Sequence, residues 1–326
     1  MLLSIVAILL AACSGSAPAT PSSSTVPTPT AVPTATAAAT PTPQPTPPPA
    51  FPVSLTDDQG TTVSIEAEPT RIVSLTPAGT EILFKLGVGP SVVAKAEDID
   101  PFPPEADALP IVARYTGVDI EQIVALEADL VIADALNPAD AVTQLRGLDI
   151  PVVVLAATSI ESALADIELV GDAVGAGAYA RDLTASMRAR FDQLTAATAG
   201  LPAPSVFYEI DAGDTIYTVP DDSIYAEMLR LAGADPITTD ASYAISLEKL
   251  VDADPEIILL GSFASVEDVP KRPGWKGMSA VKSRTIVKVN DTVITRPGPR
   301  LVDGLESLIA AIHPDLVLPS PVPATP

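Results

Sequence analysis

The chain contains two stretches that align without a gap: Asp119-Ile-Glu-Gln-Ile-Val-Ala-Leu-Glu-Ala-Asp-Leu-Val-Ile-Ala133 and Ser246-Leu-Glu-Lys-Leu-Val-Asp-Ala-Asp-Pro-Glu-Ile-Ile-Leu-Leu260. Their apolar positions coincide: Ile120 with Leu247, Ile123 with Leu250, and Val124 with Val251. A glutamate stands at the same place in both, Glu121 and Glu248. Because internal similarity is the signature of a repeated structural unit, the sequence predicts two lobes of similar build.

Each stretch predicts a short helix followed by a buried strand. The side-chain oxygen of Asp119 or Ser246 can cap the helix. Apolar residues at i, i+3 and i+4 then form its buried stripe. The apolar run after the polar break suits a strand covered on both faces, as in a parallel sheet. The glutamate falls in the first turn, where a carboxylate favours the helix dipole and faces water; a functional role is the alternative.

Residues 1–13 have the pattern of a lipoprotein signal. The segment from Met1 to Ala12 is apolar, ends in Leu10-Ala-Ala-Cys13 and contains the only cysteine of the chain at its end. It is too short to span a bilayer as a mature helix. It resembles the bacterial lipobox, whose cysteine is lipidated after cleavage, so Cys13 is the predicted lipid attachment site. No Lys or Arg precedes the apolar run, and we therefore expect a basic region upstream of Met1.

Two further segments are predicted to be disordered. Residues 14–50 carry no charge and are dominated by Pro, Thr, Ala and Ser. Such a composition stays extended and predicts a tether with a reach on the order of 100 Å. Residues 314–326 are again rich in proline and are predicted to form a disordered tail.

The body between these ends is long enough for two domains. Strand-like runs alternate with short helical patterns over 51–158 and 201–313, which predicts an α/β lobe with a mostly parallel sheet in each range. The segment 159–200 has no proline and has apolar residues at helical spacing. It predicts one long connector helix, with Gly171, Gly175 and Gly177 as the places where it could break.

The charge of the chain excludes one class of partner. The formal net charge is −23, with 18 basic and 41 acidic residues. Binding to a nucleic-acid backbone needs clustered Lys and Arg, so no nucleic-acid partner is expected. His313 is the only histidine, which excludes a multi-histidine zinc or manganese site and leaves an all-oxygen site open.

An enzymatic function finds no support in the motifs. The chain has no Gly-x-Ser-x-Gly, Walker-type loop or Cys–His pair. The run from Gly171 to Gly177 has the glycine spacing of some nucleotide-binding enzymes, but it lies within a helical pattern rather than after a strand. We expect a protein that performs no catalysis and has no cofactor of its own. An adhesive or structural surface protein remains the alternative to a transport protein.

Several ordered motifs together resemble the periplasmic binding-protein family of ABC importers for cobalamin, haem and ferric siderophores. They cover almost the whole body: Arg71-Ile-Val-Ser-Leu-Thr-Pro-Ala-Gly-Thr-Glu81, Phe102-Pro-Pro-Glu-Ala106, the first repeat with Gly117-Val before it, Phe207-Tyr-Glu-Ile210, Tyr243-Ala-Ile-Ser-Leu-Glu248 and Arg296-Pro-Gly-Pro-Arg300. The resemblance implies two α/β lobes joined by one long helix, with the ligand in the cleft between them. It also implies a monomer outside the cytoplasm that docks on an ABC permease carrying ATPase subunits.

The resemblance assigns roles to particular residues. Glu121 and Glu248 match glutamates that pair with permease arginines. Four residues match ligand-contact positions: Ala78, Phe102, Tyr115 and Tyr243, although the spacing from Tyr243 to Glu248 is one residue short. Aromatic side chains facing a cleft would grip a flat macrocycle, and ordinary packing is the alternative.

Arg296 and Arg300 flank a turn that proline stiffens. A guanidinium held there can fork onto a carboxylate or phosphate of a ligand, which would suit an anionic ligand. A surface arginine or a structural salt bridge is the alternative. The ligand itself can contain cobalt or iron, and the sequence does not choose among cobalamin, haem and siderophores.

Overall fold

Two mostly parallel sheets organise the computed structural model, which describes residues 51–321. The predicted signal with Cys13 and the predicted tether lie outside the described residues. Among residues 51–321, no helix is both long enough and apolar enough to cross a membrane.

The first lobe is built on a six-stranded sheet. Its elements are β1 (Val53–Thr56), β2 (Thr62–Ile65), β3 (Ile72–Ser74), α1 (Pro77–Lys85), β4 (Val92–Ala96), β5 (Ile111–Arg114), β6 (Gly117–Val118), α2 (Ile120–Ala125), β7 (Leu130–Asp134), α3 (Ala139–Gly147) and β8 (Val152–Leu155). The strand order is β6-β5-β4-β3-β7-β8, and only β6 runs antiparallel. Strands β1 and β2 form a separate hairpin.

The predicted connector consists of two helices, α4 (Ile160–Ala173) and α5 (Gly177–Thr198). They pack antiparallel, because Arg188 of α5 pairs with Glu161 of α4 at 2.6 Å. Gly175 in the turn has φ +79°, which glycine adopts without steric cost. Gly171 lets the helices approach closely, since a Cβ there would stand 2.4 Å from that of Ala180. The segment is therefore a helical hairpin rather than one continuous helix, and its 22-residue second helix leads into the second lobe.

The second lobe has a four-stranded sheet and a small antiparallel sheet. Its elements are β9 (Ser205–Glu209), β10 (Asp211–Ala212), β11 (Ile216–Tyr217), α6 (Ile224–Leu231), β12 (Asp235–Pro236), β13 (Ala244–Ile245), α7 (Leu247–Ala253), β14 (Ile257–Leu260), α8 (Ser279–Ser283), β15 (Ile286–Lys288), α9 (Asp291–Thr295) and α10 (Leu301–Ile312). The order β12-β9-β14-β15 is parallel throughout, and β10-β11-β13 is antiparallel. The predicted α/β fold class is confirmed.

The two repeated stretches occupy equivalent places in the two sheets. They form α2–β7 and α7–β14, and the neighbour order β4-β3-β7-β8 in one lobe matches β12-β9-β14-β15 in the other. The Asp119 carboxylate accepts the N–H of Gln122 at 2.9 Å, and the Ser246 hydroxyl accepts that of Lys249 at 3.2 Å, so both predicted caps form. The sequence match thus reflects a match of topology.

One hydrophobic core continues from the first sheet, through the helical hairpin, into the second sheet. It contains Ile72, Leu130 and Val153 from the first lobe, Leu164, Ile167 and Leu194 from the hairpin, and Val206 and Leu259 from the second lobe. Separate clusters lie on the outer face of each sheet. A large apolar contact of this kind opposes wide relative motion of two lobes.

The predicted disordered tail is wrong for its first residues. Leu316 and Leu318 pack against the shared core, and Arg190 donates from Nη1 to the carbonyl of Pro319 at 2.7 Å. Proline excludes helix here but does not prevent an extended chain from burying alternate leucines. Residues 322–326 lie outside the described part.

The helix α4 contains a buried acidic residue, Asp166. Asp58 is its acidic neighbour. Burial and this neighbour raise the pKa of Asp166 from 3.8 to about 9. The Asp58 carboxylate accepts the N–H of Ala156 at 2.6 Å, which ties the turn after β1 to the loop between β8 and α4.

We expect Asp166→Asn to flatten the pH dependence of stability. In the native chain Asp166 keeps a proton that the unfolded chain releases above pH 3.8. The contribution of this proton to the stability of the fold is therefore complete below pH 3.8 and is lost as the pH rises towards about 9. An amide needs no proton. Urea unfolding should therefore show that the free energy of unfolding of the variant rises relative to that of the wild type from pH 5 to pH 8.

Asp172→Asn is the matched control, because this exposed carboxylate of the same helix pairs with Arg181 at the surface. Parallel pH profiles for Asp166→Asn and the wild type would contradict the raised pKa of Asp166.

Candidate functional site

The loops at the carboxyl ends of the parallel strands are the expected ligand-binding site, because open α/β sheets bind ligands there. We define the cleft face as residues 75–81, 97–110, 114–116, 134–138 and 155–159 of the first lobe with 209–215, 261–273 and 288–300 of the second. Contacts between Arg296 and Glu81 and between Thr292 and Asp100 join the two sets of loops, so the two edges face each other.

Large apolar side chains along this face point to solvent. Those exposed are Ile99, Phe102, Tyr115, Leu136, Ile210 and Phe263. Tyr115 is fully exposed, at 105% of its reference area. Both lobes contribute, and a concentration of exposed apolar side chains marks a binding surface. Sequence analysis missed Ile99, Leu136, Ile210 and Phe263, which could be found by marking apolar residues that directly follow predicted parallel strands.

Tyr243 joins this surface from the loop before β13. It is exposed, has φ +61°, and lines a cavity of about 300 Å³ with Tyr225 of the same lobe. Ala157 and Thr158 of the first lobe line the same cavity. A second cavity of about 270 Å³ lies at the ends of β9 and β14, next to Phe263. Tyr243 therefore lies between the lobes, where the resemblance predicts a ligand contact.

The two arginines predicted to hold the ligand are bound to carboxylates of the opposite lobe. Arg296 donates from Nη1 to Glu81 at 2.9 Å and to Asp98 at 3.0 Å, and from Nη2 to Asp98. Arg300 donates from Nε and Nη2 to the two oxygens of Glu81, at 2.9 and 2.5 Å. The side chains of Glu81 and Asp98 are 1% and 5% exposed, and those of Arg296 and Arg300 are 12% and 14% exposed.

This network is the structural salt bridge that the sequence left as the alternative. The Arg300 guanidinium also lies 3.9 Å from the centre of the Phe102 ring, a cation–π contact that covers one ring face. Ala78 is buried below, with its carbonyl close to Gly298. Ligand contact by Ala78, Arg296 and Arg300 stays a prediction, while Phe102, Tyr115 and Tyr243 reach the cleft face.

The two repeat glutamates lie in matched and exposed positions. Glu121 is in the first turn of α2 and Glu248 in the first turn of α7. Among residues 51–321, no ion pair involves either carboxylate. Val124 and Val251, one turn along the same helix faces, are 45% and 37% exposed. The predicted buried stripe is therefore wrong for these valines, and each lobe presents an exposed glutamate beside an exposed valine.

Residues 51–321 contain no group of three or more His, Cys, Asp or Glu side chains that could hold a metal ion.

Two α/β lobes with facing carboxyl edges, joined by a helical hairpin and lined with exposed aromatics, define a bilobal solute-binding protein. The chain belongs to the periplasmic binding protein family, whose profile matches residues 72–292. The predicted resemblance is confirmed. Members of this family act outside the cytoplasm as binding proteins, which agrees with the prediction of a non-enzymatic role.

Similar proteins are known as sequences and as structures. The uncharacterized ABC transporter substrate-binding lipoprotein YvrC of Bacillus subtilis (strain 168) is 32% identical over 274 residues, which are 81% of this chain and 87% of that protein. The periplasmic haem-binding protein RhuT from Roseiflexus sp. RS-1 has a TM-score of 0.69 at 26% identity, covering 75% of this chain and 98% of that one. The periplasmic vitamin B12 binding protein BtuF of Vibrio cholerae has a TM-score of 0.65 at 25% identity, covering 75% and 97%.

Proposed function

We propose that this protein is the substrate-binding component of an ABC importer, binding a cobalamin, haem or ferric-siderophore ligand between its lobes and delivering it to the permease. The observation that carries the proposal is the row of exposed apolar side chains on the cleft face. Such side chains are costly to leave in water unless a partner covers them. Rings from both lobes suit a flat, largely apolar macrocycle or chelate, and the names of the similar proteins point to the same ligands.

We expect the purified body to bind at least one ligand from a panel of cyanocobalamin, haemin and ferric siderophores at micromolar or lower concentration. Binding can be followed by ligand absorbance and by quenching of Trp275, the only tryptophan. Tyr115→Ala should weaken binding roughly tenfold, because a stacked aromatic ring contributes about 1 kcal/mol beyond its buried area. Its full exposure means that the fold should be unaffected.

Tyr179→Ala is the matched control, since this exposed tyrosine lies on α5 away from the cleft face. Absence of binding to every member of the panel, together with absence of permease binding, would favour the adhesive alternative.

We further propose that Glu121 and Glu248 form the permease docking surface, with one glutamate on each lobe. Exposed carboxylates without described ion pairs are free to meet arginines of a partner. Charged pairs of this kind set orientation and encounter rate. Val124 and Val251 beside them would add apolar contact at each of the two points.

The double variant Glu121→Arg, Glu248→Arg should keep its ligand affinity and lose transport, because both docking points would repel arginines of the permease. Uptake by cells and binding to the permease in detergent are the measurements. Glu66→Arg with Glu68→Arg is the control, since it makes the same charge change at two exposed glutamates near β2. Normal uptake by the first variant would exclude the docking role.

The valines can be tested in the same assay. Val124→Ser with Val251→Ser should weaken the permease complex roughly tenfold, because truncating a well-packed apolar contact costs about 1 kcal/mol or more. Leu148→Ser, at an exposed apolar position after α3, should have no effect.

We also propose that a lipid on Cys13 anchors the protein to the outer face of a membrane, with residues 14–50 as the tether. The lipobox-like sequence supports this, and the similar protein YvrC is named a lipoprotein. Cys13→Ser should move the protein from the membrane fraction to the soluble fraction. Persistent membrane association of this variant would contradict the anchor.

A further inference from the structure

The two arginines that bridge the lobes, Arg296 and Arg300, are already paired with carboxylates. Arg296 and Arg300 share Glu81, and Arg296 also binds Asp98 through both of its terminal nitrogens. Glu81 and Asp98 are almost fully buried, so water contributes little to screening them. Each guanidinium is thus neutralised by a carboxylate of the opposite lobe.

The other basic residues of the cleft face are occupied as well. Arg114 pairs with Glu97 at 3.7 Å, Lys271 with Asp268 at 2.8 Å and Arg272 with Glu209 at 2.9 Å. Lys288 donates to the carbonyl of Ser262 at 2.8 Å. Within the described loops of the cleft face, Lys288 is the one base without a carboxylate partner.

Several carboxylates of the same face have no cationic partner among the described residues. Asp100 accepts the hydroxyl of Thr292, Asp291 accepts that of Ser262, and Asp211 accepts the N–H of Ala212. The net charge of the chain is −23. The cleft face therefore has an excess of negative charge, and a cleft with acidic walls concentrates that potential.

We infer that the cleft selects a ligand with no net negative charge, and that Glu81 and Asp98 set this selectivity by neutralising Arg296 and Arg300. The inference rests on the proposed function and names the charge class of its ligand. It reverses the expectation that the arginines favour an anionic ligand.

The physical reason is the free-energy cost of replacing a buried carboxylate of the protein by a carboxylate of the ligand. A ligand carboxylate could reach Arg296 or Arg300 only by displacing Glu81 or Asp98. The displaced carboxylate would remain buried without a partner, and an uncompensated buried charge is strongly unfavourable. A ligand without net negative charge can lie against Phe102 and Tyr115 and leave the ion pairs intact.

This charge class divides the proposed ligands into two groups. Cyanocobalamin is neutral overall, because its phosphate balances the charge on cobalt, and a ferric trihydroxamate with a free amine is a cation. Haemin has two free carboxylates, and a ferric tris-catecholate is a trianion. The geometry favours the first two over the last two.

Titration of the full-length protein with these four probes tests the inference. The wild type should bind cyanocobalamin or the cationic trihydroxamate at least about tenfold more tightly than either anionic probe. Glu81→Gln and Asp98→Asn remove one negative charge each while keeping the shape of the side chain. Each should raise the affinity for haemin or the tris-catecholate at least about tenfold, because a guanidinium becomes available.

Glu306→Gln is the matched control, since it neutralises a carboxylate of α10 that lies away from the cleft face. This carboxylate pairs with Arg190 of α5. It should not change the preference. Thermal unfolding of each variant checks folding; if a variant is unfolded, the order of the four wild-type affinities still decides.

The outcomes separate the two proposals. Tightest binding of an anionic probe by the wild type would overturn the inference while leaving the proposed function in place. Unchanged affinity of folded Glu81→Gln and Asp98→Asn for both anionic probes would also overturn it. Failure to bind all four probes would count against the proposed function itself, and the inference would fall with it.

Discussion

The rest of the structure depends on the hydrophobic core that the two lobes share through α4 and α5. Each fully buried leucine in it, such as Leu164 or Leu194, contributes about 1.5–3 kcal/mol. The ion pairs across the cleft contribute less net stability, because desolvation offsets most of their attraction. The core therefore holds the lobes together, while the Arg296 and Arg300 network fixes the angle and the charge of the cleft that the core leaves open. We therefore expect closure on a ligand to be a small movement rather than a hinge of large amplitude.

Local signals predicted most of the fold. The repeats gave α2–β7 and α7–β14 because a cap, a helical stripe and a buried apolar run are each encoded within a few residues. The small sheet was missed because its two-residue strands depend on long-range pairing, as between Ile216 and Ile245. The hairpin of α4 and α5 was predicted only as a place where a helix could break. A glycine permits a turn, but the packing of Gly171 on Ala180 decides that the chain folds back.

The candidate site was predictable in its apolar part and not in its charged part. Phe102, Tyr115 and Tyr243 follow strands or precede a repeat, so their place in the chain locates them at the edge of a sheet. The carboxylate partners of Arg296 could not be predicted from its place in the chain, because Glu81 lies 215 positions away in the sequence. An arginine beside a stiff turn offers the same fork to a ligand or to a buried carboxylate. Only the assembled lobes show which of the two it meets.

The chain also connects the proposed ligand surface with the proposed docking surface in each lobe. Strand β6 runs antiparallel to β5, and β13 belongs to the small antiparallel sheet; each leads directly into the helix that carries a glutamate. Six positions separate Tyr115 from Glu121 in α2, and five separate Tyr243 from Glu248 in α7. A partner held by both glutamates would contact both lobes. The angle between the glutamates would then depend on the same core and ion pairs that set the width of the cleft, so a change in ligand occupancy and a change in docking geometry would be linked.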